Sequence, residues 1–176
     1  MKQLTLMRHA KSSWHHEDLT DFERPLNERG RRAAPLMGAY LGQRFGGFDR
    51  IVSSPATRAI TTARMVCQAL GQDDNEILVI PALYLAEPDT LLDVIHALDA
   101  KVNSALLVGH NPGISHTGFR LAAMERRKEL PTAAALTLEL PTRHWRQVNF
   151  GSARLIELQT PKRLKRSSQP SAPVPD

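Results

Sequence analysis

The chain has 176 residues, 41% apolar and 23% charged, which is the composition of a soluble globular protein with one domain of ordinary size. It holds no apolar run long enough to span a membrane, and it enters a predicted strand at once, so we expect a cytoplasmic protein without a signal peptide. The net charge of +5 does not indicate a nucleic-acid partner, because residues 161–176 carry +3 of it and residues 1–160 only +2.

Short apolar runs predict six strands, and helical periodicity alternates with them through the first two thirds of the chain. This alternation favours an α/β fold with a mostly parallel central sheet and helices on both faces. The last strands have no helix between them, so at least one antiparallel pair is expected at a sheet edge. The strands are expected at about residues 2–7, 50–53, 77–80, 104–109, 134–140 and 154–158.

Four helices are predicted from apolar residues that recur at three- and four-residue spacing. Pro35 lies inside the first and should delay its start or kink it, whereas Gly71 supplies the end of the second. The single cysteine, Cys67, falls on the apolar stripe of the second helix and is expected to be a buried thiol. The helices are expected to begin near residue 28, after Pro55, at Glu87-Pro88 and after Asn111-Pro112-Gly113.

The C-terminal segment differs from the rest of the chain. Residues 161–176 are basic, rich in Pro and Ser, and lack a periodicity that would bury a face, so they are predicted to be a disordered tail after a single domain over residues 1–160. Such a tail either aids solubility or attaches weakly to an acidic partner.

Three strands end where a basic side chain appears. The first ends at Arg8 and His9, the second leads through a turn to Arg58, and a later one ends at His110. Side chains just beyond the carboxyl ends of parallel strands meet in one crevice, so these four residues can share a pocket. Any one of them alone would more readily be a surface charge, but three such strand ends are hard to explain in that way.

Two arginines that converge on one point predict an anion site, and phosphate matches the paired donors of a guanidinium best. A neutral histidine there can attack phosphorus and hold the phosphoryl group until water removes it. The neighbouring arginines should lower the pKa of His9 and keep it unprotonated near neutrality. His110, protonated once phosphate is bound, would stabilise charge on the transferring oxygens. The sequence contains neither a Gly-rich nucleotide loop nor an acidic metal cage.

Five segments in this order resemble the histidine phosphatase superfamily, and within it the small SixA-like phosphohistidine phosphatases. The resemblance implies a phosphoglycerate-mutase-like three-layer α/β sandwich, a mechanism without metal or cofactor, and His9 as the residue that becomes phosphorylated. It also implies that Arg8, Arg58 and His110 form the phosphate pocket. The segments are LMRHAKSSW from Leu6, ERPLNERG at 23–30, SSPATRAITTA at 53–63, LLVGHNPGIS at 106–115 and LPTAAALTLEL at 130–140.

The proton donor and the pocket's minor contributors are less well defined. Many members of the superfamily carry a glutamate soon after the third strand; here only Glu87 is near, and it could equally interact with a helix dipole. Asp18 and Asp21 are loop alternatives, with solvated surface as the default interpretation. Ser12 is a candidate substrate-binding residue, and Arg24 is expected to anchor the loop rather than touch phosphate.

We therefore predict a phosphatase that removes phosphate from phosphohistidine on another protein, through a phosphorylated His9. An imidazole leaving group needs a proton less urgently than an alkoxide, and short loops without a capping insertion suit a protein-borne substrate. The alternatives are a phosphomonoesterase of the same mechanism acting on a small molecule, and a phosphate-binding module without catalysis. We expect a monomer or weak dimer with no membrane or nucleic-acid partner.

Overall fold

The centre of the molecule is a six-stranded sheet in the order β3-β2-β4-β1-β5-β6, seen in a computed structural model that describes residues 1–125 and 128–168. The four strands from β3 to β1 are parallel, whereas β5 runs antiparallel to both β1 and β6. The predicted sheet and its antiparallel edge are thus confirmed. The strands are β1 (Lys2–Arg8), β2 (Arg50–Ser53), β3 (Leu78–Val79), β4 (Ser104–Gly109), β5 (Ala135–Leu140) and β6 (Arg154–Gln159).

The helices begin and end at local signals in the sequence. The side chain of Asn27 accepts a hydrogen bond from Gly30 N at 2.9 Å, so the first helix starts directly after Asn27. The prediction that Pro35 would delay this start is wrong, because the cap fixes the first turn and Pro35 lies inside the helix. Gly71, with φ of +70°, follows the second helix as predicted. The helices are α1 (Glu28–Phe45), α2 (Thr57–Ala69), α3 (Pro88–His96), α4 (Gly113–Leu121) and α5 (Pro161–Ser167).

The sheet is covered on both faces, because alternate side chains of its central strands belong to two separate apolar clusters. In β4, Leu107 packs with residues of α3 and α4, whereas Leu106 packs with residues of α1, α2 and α5. Cys67 is buried in the second cluster, as predicted, and burial raises the pKa of its thiol. The sheet and the two sets of helices that cover its faces form the predicted three-layer α/β sandwich.

The chain after residue 160 is not the disordered tail that its composition predicted. Residues 161–167 form α5, whose first turn is capped by the side chain of Thr160 accepting from Arg163 N at 3.2 Å. Leu164 is 9% exposed and packs into the cluster beneath α1 and α2. One buried leucine and one cap therefore order a short segment that has too few apolar residues to show periodicity. The predicted tail over residues 169–176 lies outside the described residues.

The connection over residues 9–27 is the longest between two elements, which corrects the expectation of short loops. It crosses the edge of the sheet where β1 ends and is held by an antiparallel bridge between Ser12 and Leu26. It also packs tightly on α1, because a Cβ atom on Gly30 would lie 2.2 Å from the carbonyl oxygen of Lys11. Among the described residues, no helix has the length and apolar character needed to cross a membrane.

Candidate active site

The predicted crevice lies where β1, β4 and β2 end side by side. The pairing continues past the strands, since His9 N donates to Gly109 O at 3.0 Å and Ser54 N donates to Val108 O at 3.1 Å. The chain leaves β1 toward α1 on one face of the sheet and leaves β4 toward α4 on the other. Ligands bind at such a switch point in open α/β sheets.

The four basic residues meet in this crevice. Arg58 Nε lies 3.3 Å from His9 Nε2, and the rings of His9 and His110 are 5.2 Å apart between centroids. The charge of Arg8 acts on both histidines and its Nη1 donates to Leu130 O at 2.9 Å. Burial lowers the pKa of Arg8, and the carboxylate of Glu129 opposes that change. Residues far apart in the sequence thus form one largely buried cluster of basic side chains.

His9 is held as a neutral base with a defined free nitrogen. Its Nδ1 lies 2.7 Å from the carbonyl oxygen of Ala10, which can only accept, so Nδ1 carries the proton. Nε2 is then unprotonated and accepts from Arg58 Nε. Burial, more than the charges of His110, Arg58 and Arg8, lowers the pKa of His9 to about 3. The direction agrees with the sequence prediction, but burial rather than the arginines is the main cause.

His110 is fixed by a hydroxyl at the end of the neighbouring strand. Its Nε2 lies 2.7 Å from Ser54 Oγ, which also accepts from Ala56 N. When the Ser54 hydroxyl donates in this contact, His110 Nε2 accepts the hydrogen bond and Nδ1 carries the ring proton. Burial, with the charge of Arg58 second, lowers the pKa of His110 to about 4, so the ring is neutral near neutrality without phosphate.

Two buried nitrogens of the cluster have no hydrogen-bond partner within residues 1–125 and 128–168. They are Arg8 Nε and His110 Nδ1. A buried polar group without a hydrogen bond is costly, and such groups concentrate where a ligand supplies the missing partner. The oxygens of a phosphoryl group are suitable acceptors for a guanidinium and an imidazole N–H.

Asp21 is exposed, as its default interpretation expected, but its carboxylate also contacts the site. Its carboxylate lies 3.0 Å from Arg58 Nη2 and 3.1 Å from Arg24 Nε, and it accepts from the Tyr84 hydroxyl at 2.6 Å. The Tyr84 hydrogen bond, followed by the contacts with Arg58, lowers the pKa of Asp21 to about 2. Asp21 is therefore ionised and orients Arg58.

The other predicted site residues lie away from the centre of the cluster. Ser12 is buried, and its Oγ accepts from Arg24 Nη1 at 2.7 Å, so both anchor the loop over residues 9–27. Glu87 is exposed just before α3 and, within the described residues, has no hydrogen bond or ion pair with the four basic residues. The role of Glu87 as proton donor therefore remains a prediction.

Three further residues of the site were not identified from the sequence. Thr62 Oγ1 accepts from Ala10 N at 2.9 Å and donates to Arg58 O at 2.7 Å, which ties the chain after His9 to α2. Ser54 was visible as a hydroxyl at a strand end, and this position could have indicated a role. Tyr84 had no such signal, because its contact with Asp21 joins two loops that are 63 residues apart.

Comparisons with known proteins identify the family and the fold. A family model described as the histidine phosphatase superfamily, branch 1, matches residues 4–83. An uncharacterized protein of Mycobacterium tuberculosis is 33% identical over 165 residues, which span 89% of this chain and all of the relative. The chain of a candidate phosphohistidine phosphatase SixA from Agrobacterium tumefaciens has a TM-score of 0.76 and 29% identity, over 90% of this chain and 97% of that one.

A further solved structure, the protein histidine phosphatase SixA complexed with tungstate, has a TM-score of 0.78 and covers 92% of this chain and 99% of its own. Its sequence identity is 23%, so this likeness establishes the fold.

Proposed function

The chain belongs to the histidine phosphatase superfamily, and from this premise we propose that it removes phosphate from phosphohistidine on another protein, with His9 as the nucleophile. The observation that carries the proposal is the unprotonated Nε2 of His9 beside Arg58, in a cluster where the buried nitrogens Arg8 Nε and His110 Nδ1 have no hydrogen-bond partner among the described residues. The similarity to SixA proteins supports phosphatase activity, and the protein-borne substrate is our inference from the site.

In the first step, His9 Nε2 attacks phosphorus while the bond between phosphorus and the substrate nitrogen breaks. Arg58 gives up its hydrogen bond to Nε2 and, together with Arg8, binds the phosphoryl oxygens. The proton of His9 stays on Nδ1, and its hydrogen bond to Ala10 O stabilises the positive ring that forms. In the second step, water attacks phosphorus, the bond to Nε2 breaks, and phosphate leaves with His9 neutral again. The site's own residues supply nucleophile and charge, so we expect activity in the presence of a metal chelator.

The substrate class follows from the acids available. Asp21, a carboxylate in contact with Arg58, has its pKa lowered to about 2 and is a weak source of protons near neutrality. A phosphohistidine whose free ring nitrogen is protonated leaves as neutral imidazole, whereas an alkyl phosphate needs an acid to protonate its alkoxide. The site therefore favours phosphohistidine over alkyl phosphates.

The surroundings of the site suit a substrate presented by a protein. The ring of Phe22 contacts Tyr84 at 5.0 Å, and Tyr84 contacts His110 at 5.5 Å, so the aromatic residues lead from the surface to the cluster. Exposed apolar side chains flank this path, since Leu85 is 53% and Trp14 71% exposed. Exposed aromatic and apolar groups beside a reactive site are typical of protein contact surfaces.

The test compares phosphate release from a histidine-phosphorylated phosphotransfer protein and from para-nitrophenyl phosphate, both with a chelator present. We expect rapid release from the protein, slow release from the aryl ester, and loss of both with His9→Ala. Brief incubation with labelled substrate should leave an acid-labile phosphate on the wild-type enzyme. Rapid release from small esters alone would indicate the metabolite phosphatase instead, and binding without any release would indicate a recognition module.

A further inference from the structure

A groove of about 350 Å³ beside the crevice is lined by basic side chains from three parts of the chain. Lys11 lies in the loop after β1, Arg29 in the first turn of α1, and the remaining three in α5. Within the described residues, no Asp or Glu lines this groove. We call it the basic groove, and its cations are Lys11, Arg29, Lys162, Lys165 and Arg166.

The basic groove opens at the same edge of the sheet as His9. Lys11 is two residues beyond His9, and α5 follows the end of β6, which runs parallel to β1. The groove also includes Thr132, whose neighbour Ala133 donates its N–H to the carbonyls of Arg8 and His9 at 3.2 and 3.1 Å. A molecule that bound in the groove would therefore lie close to the backbone segment that carries His9.

The cations of α5 are held in place rather than carried on a free tail. Leu164 packs into the core, and Arg163 turns away to donate to Leu158 O at 2.6 Å. This leaves Lys162, Lys165 and Arg166 on the groove side of the helix, with their side chains exposed. The segment that the sequence predicted to be disordered thus presents a fixed basic surface up to residue 168.

None of the five groove cations forms a salt bridge with another described residue. Five like charges around one groove produce a positive potential that attracts an anionic partner. Four of the five are exposed, so the groove has few buried donors of the kind that enclose a small polyanion. Exposed cations spread over three segments better match carboxylates spaced along a polypeptide.

We propose that the basic groove docks an acidic segment of the substrate protein while its phosphohistidine enters the crevice at His9. This inference rests on the proposed function. It assigns the groove to recognition of the protein that bears the phosphohistidine, and it gives the enzyme a preference among such proteins that the phosphate pocket alone does not provide.

The test uses the full chain with two independent variants. One is Lys162→Glu/Lys165→Glu/Arg166→Glu, and the other is Arg29→Glu, which places an acid in the first turn of α1 where the helix dipole favours it. The control, Arg143→Glu/Arg146→Glu, reverses exposed charges near the opposite edge of the sheet. Each is assayed with a phosphohistidine protein that has an acidic segment, with para-nitrophenyl phosphate, and for binding of a labelled polyglutamate peptide.

We expect the triple variant to lower kcat/KM for the phosphoprotein roughly 10-fold or more, mainly through KM, and to abolish its salt dependence. Hydrolysis of the aryl ester and all activities of the control should be unchanged, and Arg29→Glu should reproduce the effect in smaller size. Polyglutamate should bind the wild type and not the triple variant.

Two results would overturn the docking proposal. One is a kcat/KM for the phosphoprotein that is the same in the groove variants as in the wild type, and the other is a groove that binds polyphosphate but not polyglutamate. If the wild type hydrolyses only the aryl ester, the proposed function is wrong, and the peptide measurement still decides whether the groove binds acidic polypeptide.

Discussion

Lowering the pH should destabilise the folded protein through His9. The pKa of its buried ring is about 3, against an ordinary value of 6.5, so between these values the unfolded chain binds a proton that the folded one does not. Stability is unaffected by this group above pH 6.5 and falls as the pH drops toward 3. At pH 5, 1.5 units below the ordinary value, the loss is about 2 kcal/mol at 1.36 kcal/mol per unit.

The assay is urea unfolding of the wild type and of His9→Gln at pH 8 and pH 5. Glutamine does not titrate and has an amide that can still accept from Arg58, so the variant reports every pH effect except that of His9. Burial lowers the pKa of His110 to about 4, below the pH range of the assay, so His110 contributes alike to both proteins, as do the carboxylates far from His9, and these contributions cancel in the difference. We expect the wild type to lose about 2 kcal/mol more than the variant between the two pH values.

The comparison uses only the change in the free energy of unfolding between pH 8 and pH 5. A constant effect of the substitution on stability therefore does not enter the result. Equal losses in the two proteins would refute the reasoning, since they would mean that His9 titrates alike in the folded and unfolded chains. A larger loss in the variant would have the wrong sign for a buried neutral histidine.

Four substitutions test the remaining contacts. Arg58→Lys removes the hydrogen-bond donor to His9 and the paired guanidinium donors for phosphate. It should lower kcat/KM for the phosphohistidine protein about 100-fold in steady-state assays. A change of less than severalfold would argue against Arg58 as a phosphate-binding residue. Ser54→Ala leaves the buried His110 Nε2 unpartnered and should reduce kcat about 10-fold and the free energy of unfolding by about 1–3 kcal/mol; unchanged kcat would show that Ser54 does not orient the ring. Leu164→Ala should cost about 2 kcal/mol in urea unfolding, and no cost would mean that α5 does not pack on the core. Gly30→Ala should lower the free energy of unfolding by about 1–3 kcal/mol, because the added methyl group would clash with the carbonyl oxygen of Lys11. Wild-type stability would show that the loop over residues 9–27 moves freely to make room.

The fold could be read from the sequence because its signals are local. Apolar runs such as 104–109 are strands in any context that buries both faces, and Gly71 and Pro88 mark helix ends through their own backbone geometry. The meeting of Arg8, His9, Arg58 and His110 also followed from the sequence, since parallel strands bring their carboxyl ends to one edge whatever the length of chain between them.

The sequence could not determine contacts that depend on how loops fold over that edge. Asp21 looked like surface because its partners, Arg58 and Tyr84, are 37 and 63 residues away and neither is marked by any pattern. The cause of the low His9 pKa was also hidden, since the charges are visible in the sequence but the burial is not.

The C-terminal segment is a second case in which the sequence alone did not predict the structure. Composition over residues 161–176 predicted disorder, but Leu164, which packs into the core, orders residues 161–167 as α5. The sequence by itself therefore determined the strands, the first four helices and the cluster of basic residues, because these depend on local backbone preference and on strand direction. Only the tertiary structure decided the orientation of Arg58 by Asp21 and the basic groove formed by α5, because burial and contacts between loops exist only once the chain has folded.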